Sequence, residues 1–206
     1  MKVSRLLLIR HGETVWNSEG LIQGHMDIDL SEAGLAQADG LASSLRKLEV
    51  AACYSSDLGR AFNTARPFAA VKGLRAIRLP SLRELCFGGW QGRAMAEIIR
   101  TEAAAYQAYS HPDGHGAPPG GESFQELRER VGRALRSLAR QHAGETIAVF
   151  GHGGTIRGGL IDLLQLPNVA RYSFRPDNCG VTVLEHAGQW WRLIAYNCRV
   201  PFGELF

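Results

Sequence analysis

Apolar runs of strand length alternate with longer segments whose apolar residues recur at helical spacing, and this constrains the chain more than any other feature. "VSRLLLIR" (3–10) is a continuous apolar run bounded by polar residues, the pattern of a strand buried on both faces. "LSEAGLAQADGLASSLRKL" follows with Leu35, Ala38, Leu41, Leu45 and Leu48 as a helical stripe and Ser31 as candidate N-cap. "AACYSS" is a short strand, "DLGRAFNTARPFAAV" a helix with Asp57 placed to begin it, and "LRAIRL" another strand. Ser123 and Glu126 have capping-box spacing, and the helix after them carries Phe124, Leu127, Val131, Leu135 and Leu138 on one face. "TIAVFG" is a buried strand, "GTIRGGLIDLLQL" a helix, and "GVTVLEH" with "QWWRLIAY" a terminal hairpin around "AGQ".

Such alternation argues for an α/β fold, a three-layer α/β/α sandwich with a mostly parallel central sheet and an antiparallel strand at its edge. No repeat or linker divides the 206 residues, so the expectation is one domain spanning 1–206. Residues 92–121 stand apart. Two alanine-rich helical pieces lead into "SHPDGHGAPPGGE", where Gly and Pro break regular structure, and this reads as an excursion over the surface.

The charge balance, 23 basic against 20 acidic residues, is too even to point to nucleic acid, and no basic block is present. No apolar run has the length of a membrane span, and "MKVSRLLLIRHG" is too short in its apolar part for a signal peptide. Cys53, Cys86, Cys179 and Cys198 form no metal-binding spacing and read as reduced thiols of a cytoplasmic protein.

In open α/β sheets ligands gather beyond the carboxyl ends of the strands. Two strands here end in similar words, "LLLIRHGE" and "IAVFGHGG", each placing a histidine and a glycine at that end. Gly153 and Gly154 let backbone N–H groups approach an anion at a helix N-terminus. Arg60, one turn into its helix, can reach the same rim, and Glu84 sits among apolar Leu85, Phe87 and Trp90, a setting that favours a protonated carboxyl. Two arginines, two histidines and backbone N–H groups suit a phosphoryl group in flight. No carboxylate cluster for Mg²⁺ and no GxxxxGK[ST] loop is present, so the expected chemistry needs a protein nucleophile, which a neutral histidine supplies.

"LLLIRHGETVWN", "YSSDLGRAFNTA", "LRELCFGGWQG", "PPGGESFQELRERV" and "VFGHGGTIR" together resemble, in order, five blocks of the histidine phosphatase superfamily, the phosphoglycerate mutase-like enzymes. The resemblance runs from residue 6 to about residue 165. It implies an α/β/α sandwich, no metal or other cofactor, and a phosphohistidine intermediate. His11 matches the nucleophile, and Glu84 the group that protonates the leaving oxygen and then activates water. Arg10, Asn17, Arg60, His152 and the Gly153 backbone match the phosphate pocket.

Within the family, phosphatases give the phosphoryl group to water and mutases return it to a sugar acid. "HMDIDLSEAG" resembles the mutase stretch. Bisphosphoglycerate-dependent mutases carry a larger insertion with basic residues, whereas "TEAAAYQAYSHPDGHGAPPGGES" here holds neither Lys nor Arg. "PGGES" resembles the small phosphatase branch, which includes broad-specificity and α-ribazole phosphatases. The expectation is a metal-independent phosphatase of a small phosphorylated metabolite, with the mutase as alternative and a non-catalytic phosphate-binding module as a weaker one. Gln23, Gly24, Phe87, Trp90 and Arg93 are candidate substrate contacts, and His25, His111 and His115 fall near the expected pocket mouth. Phe202, Leu205 and Phe206 have no pattern to bury them, which leaves a homodimer contact, a fold-back or a frayed end open.

Overall fold

The computed structural model of the protein describes residues 2–199, so Phe202, Leu205 and Phe206 lie outside the described residues. Four strands run parallel: β1 (Val3–Arg10), β2 (Ala52–Ser55), β3 (Ala76–Arg78) and β4 (Thr146–Gly151). β5 (Val181–Ala187) pairs antiparallel with β1, and β6 (Trp190–Cys198) antiparallel with β5, giving the order β3-β2-β4-β1-β5-β6. The terminal hairpin thus adds two antiparallel ladders. It turns at Gly188, whose φ of 64° suits a residue without Cβ.

Among the described residues seven α-helices connect and cover the strands: α1 (Val15–Ser18), α2 (Glu32–Ser44), α3 (Gly59–Val71), α4 (Met95–Thr101), α5 (Ala103–Ser110), α6 (Phe124–Gln141) and α7 (Gly153–Leu163). The continuous apolar run of β1 is explained by its two neighbouring layers. Leu6 and Leu8 pack with Leu127, Val131, Leu135 and Leu160 of α6 and α7, while Leu7 and Ile9 pack with Leu41, Ala65 and Phe68 of α2 and α3. Successive side chains of a strand point to opposite faces, so a strand covered on both sides needs an apolar residue at every step.

Helix starts follow local chemistry, with two departures. Ser123 and Glu126 form the expected capping box at α6, each side chain bonding the other residue's backbone N–H. Ser31 caps α2 through Gly34 N at 3.1 Å, yet Leu35 of the expected stripe is exposed. Gly34 takes the inward position because the backbone packs against Glu13; a Cβ there would stand 2.0 Å from the Glu13 carbonyl oxygen. Asp57 does not cap α3: its carboxylate receives both Nε and Nη2 of Arg83, and Asp27 Oδ1 accepts the Gly59 N–H instead.

The excursion from β3 to α6 is tied down. Trp90 is fully buried, donates Nε1–H to Glu102 at 2.8 Å and packs against Tyr106 and Tyr109. Arg130 of α6 donates to the carbonyls of Ser81, Arg83 and Glu84 and to the Glu122 carboxylate. The register of β1 against β4 carries the functional consequence: Arg10 is opposite Gly151, so the residues that follow, His11 and His152, leave the sheet side by side.

Candidate active site

The two imidazoles beyond these strand ends are buried, with ring centroids 5.2 Å apart. His11 Nδ1 lies 2.7 Å from the Gly12 carbonyl oxygen. A carbonyl can only accept, so Nδ1 carries the proton and Nε2 keeps a lone pair. Gly12 is itself held by Thr64, whose Oγ1 accepts the Gly12 N–H at 2.9 Å and donates to the Arg60 carbonyl at 2.7 Å. Burial first, and then the Arg60 and Arg10 cations, push the His11 pKa well below the usual histidine range. The same causes, burial foremost, act on His152. Both rings are therefore neutral near neutral pH.

Around them stand cations whose outward groups are already fixed. Arg60, 1% exposed, donates from Nη1 to Met26 O and from Nη2 to Gly24 O. Arg10 donates from Nη1 to Pro176 O. Burial lowers both guanidinium pKa values, that of Arg60 to about 10, which still leaves it charged at neutral pH. Nε of each arginine, both ring nitrogens of His152 and Oε1 of Gln23 are buried without a partner among the described residues. Burying polar atoms unpaired is costly, and a phosphoryl oxygen supplies the acceptor that the donors need. Asn17 turns Oδ1 toward Thr14 and Asn178, leaving its amide nitrogen available; Asn178 also donates to the His11 carbonyl at 2.9 Å.

Glu84 completes the ring differently from expectation. Leu85 and Trp90 turn into the interior, and among the three apolar neighbours only Phe87 borders the cavity. The carboxylate instead accepts Leu85 N–H on Oε1 at 2.8 Å and Gly154 N–H, in the first turn of α7, on Oε2 at 3.0 Å. His25 Nε2–H donates to the Glu84 carbonyl at 2.8 Å, so this histidine positions the segment.

Arg10, His11, Asn17, Gln23, Gly24, Arg60, Glu84 and Phe87 line one cavity of about 130 Å³. His152 adjoins His11, and Gly153 opens α7 beside Arg10 and Glu84. Trp90 and Arg93 are not among the residues that line it. Trp90 is buried in the excursion, and Arg93 is spent on Glu97, Thr101 and Glu102. His111 and His115 are exposed around Asp113. A larger cavity of about 380 Å³, lined by Glu13, Gln37, Asp177 and Arg199 among others, holds neither histidine nor unpaired cation. Glu13 belongs there and not to the ring around His11. Thr64, Asn178 and Arg130 escaped sequence reasoning because their roles rest on contacts with distant segments; Thr64 alone left a trace, one helical turn after Arg60.

Residues 6–199 match the histidine phosphatase superfamily (branch 1). The chain belongs to this superfamily. Within it, the chain is 38% identical over 193 residues to a metal-independent phosphoserine phosphatase of Arabidopsis thaliana, covering 92% of this chain and 79% of that one. It is 41% identical over 157 residues to the phosphoglycerate mutase-like protein 4 of the same plant, covering 75% and 68%. The structure of a putative α-ribazole-5′-phosphate phosphatase from Escherichia coli superposes with a TM-score of 0.88 at 32% identity, covering 98% of this chain and 99% of that one. The six-stranded mixed sheet between helical layers is thus a histidine phosphatase fold. Among the described residues no group of three or more His, Cys, Asp or Glu could hold a metal ion, and no helix is long and apolar enough to cross a membrane.

Proposed function

We propose that the protein is a metal-independent phosphomonoesterase that works through a phosphohistidine on His11, with a small phosphorylated metabolite as substrate. Family membership and phosphatase-named relatives make the chain a phosphoric monoester hydrolase. The observation that carries the mechanism is the neutral His11 ring, its tautomer fixed by Gly12, beneath a set of buried donors without partners.

In the first step the Nε2 lone pair attacks phosphorus in line with the ester oxygen. The P–O bond breaks, a P–N bond forms, and the departing alcohol takes a proton from Glu84, which enters this step as the carboxylic acid and leaves it as the carboxylate. Arg10, Asn17, Arg60, His152 and the Gly153 N–H hold the three equatorial oxygens, where charge spreads in the transition state. In the second step Glu84 takes a proton from water, which attacks phosphorus and releases inorganic phosphate and free His11. Segment 92–121 is the lid over this site. The stretch from 101 to 123 holds neither Lys nor Arg to retain a second phosphate for return transfer, which favours water as acceptor.

The mutase-like relative keeps a mutase as the second reading. Inorganic phosphate release from a phosphomonoester panel in the presence of chelator supports the phosphatase. No release from any member, or efficient 2-phosphoglycerate to 3-phosphoglycerate conversion that requires added bisphosphoglycerate, refutes it.

A further inference from the structure

Arg157 lies one turn beyond Gly153 on α7, and its Nε–H donates to the Gly153 carbonyl at 3.2 Å. That bond fixes the base of the guanidinium at the rim of the site. A Cβ built on Gly153 would stand 3.9 Å from each of three atoms, Arg10 Nε, Glu84 Oε2 and Arg157 Nη2. One small space above the first turn of α7 is therefore bordered by a phosphate-binding cation, by the carboxyl group that serves the leaving oxygen, and by Arg157. Tyr109 and Tyr196 lie within electrostatic reach of Arg157, and Tyr109 packs against Phe87 of the cavity wall.

Half-buried arginines elsewhere in the fold are matched: Arg83 with Asp57, Arg128 with Asp162, Arg130 with Glu122. Arg157 is half-buried too, yet makes no ion pair with a carboxylate among the described residues. Arg171, buried more deeply, also lacks a carboxylate but gives Nη2 to the carbonyls of Tyr109 and His111, whereas the terminal nitrogens of Arg157 have no acceptor among the described residues and are left for an anion. The position of Arg157 beside Glu84 puts it on the side of the alcohol that leaves.

We infer that Arg157 is a specificity-determining residue that receives a carboxylate on the leaving group, so that the substrates are phosphomonoesters of hydroxy acids. The inference rests on the phosphatase reading above and extends it to substrate class. A single guanidinium fork matches the two oxygens of a carboxylate. A second phosphate dianion would ask for more positive charge than the lysine-free, arginine-free stretch from 101 to 123 brings.

The test compares matched substrates that differ in the carboxylate: O-phosphoserine against O-phosphoethanolamine, and 3-phosphoglycerate against glycerol 3-phosphate, with p-nitrophenyl phosphate as reference. The expected wild-type result is a kcat/KM at least about tenfold higher for the carboxylated member of each pair, the scale of one charged hydrogen bond. Arg157→Gln is expected to erase that ratio, chiefly through KM, and Arg157→Lys to keep part of it. Absence of the preference in the wild-type enzyme, or its persistence in Arg157→Gln, overturns the inference, as does an equal loss on both members of a pair. Turnover of p-nitrophenyl phosphate without carboxylate preference overturns this inference alone. Failure to release phosphate from any of the five removes the phosphatase reading and this inference with it.

Discussion

Adding one methyl group at Gly154 separates the general acid from the rest of the machinery. Gly154 stands in the first turn of α7 and donates its N–H to Glu84 Oε2 at 3.0 Å. An alanine Cβ there would lie 2.0 Å from Glu84 Oε1, and contacts under 3.0 Å do not occur, so the carboxyl group must retreat by about 1 Å. Leu127 Cδ2, at 3.2 Å from the same Cβ, has to give by a few tenths of an ångström. Alanine is better than glycine in a helix by about 0.5–1 kcal/mol, which offsets that strain. Gly154→Ala should therefore unfold within about 1 kcal/mol of the wild type in urea. A 1 Å misplacement of a reacting group costs about 10²-fold, or ~2.7 kcal/mol of barrier. The loss is expected in kcat/KM, which reports enzyme phosphorylation, for alkyl phosphates whose alcohol must be protonated as it leaves. p-Nitrophenol leaves without a proton, so its ester should lose less than about fivefold. Equal losses on alkyl and aryl esters, or none on the alkyl ones, would refute the placement of Glu84 at the leaving oxygen.

Thr64→Val keeps shape but deprives the buried Gly12 N–H of its acceptor; it should cost about 1–3 kcal/mol in urea denaturation and slow turnover, because Gly12 holds His11. No change in either quantity would detach Thr64 from the site. His11 and His152 have folded pKa values below the unfolded value of 6.5. The stability tied to their neutral forms is thus complete above about pH 6.5 and lost as pH falls toward the folded values, at up to ~2.7 kcal/mol per pH unit for two protons. The urea midpoint should drop more steeply below pH 6.5 in the wild type than in a His11→Ala/His152→Ala double variant; parallel pH profiles would contradict the burial of neutral rings. Dialysis against chelator should leave phosphate release unchanged, and restoration of lost activity by an added divalent ion would contradict metal independence.

Which features were legible in the sequence follows from how local their causes are. The run Leu6–Leu7–Leu8–Ile9 announced a strand covered on both faces, and the helical stripe from Phe124 to Leu138 needed only its own spacing and the Ser123–Glu126 box. Arg10, His11, Arg60 and His152 stand at or just beyond strand ends, where topology gathers ligands, so pattern and family resemblance pointed to one rim. Leu35, Asp57 and Trp90 went otherwise because distant segments decide their environments. The Glu13 backbone crowds Gly34 inward, Arg83 claims the Asp57 carboxylate, and Glu102 offers the acceptor that lets the Trp90 ring be buried. Glu84 shows the same limit: its apolar neighbours in sequence are not all neighbours in space, and the groups that hold its carboxylate include a backbone N–H seventy residues away.

On the proposed mechanism every turnover passes through a covalent phosphoryl–His11 intermediate. Rapid quenching of the enzyme with ³²P-labelled substrate, followed by peptide mapping, tests it directly. The expected result is a label on His11 that is stable to base, labile to acid and absent from His11→Ala. It should persist longer in Glu84→Gln, which lacks the group that activates water. Turnover with no labelled protein at any quench time, or a label that survives in His11→Ala, would contradict the mechanism.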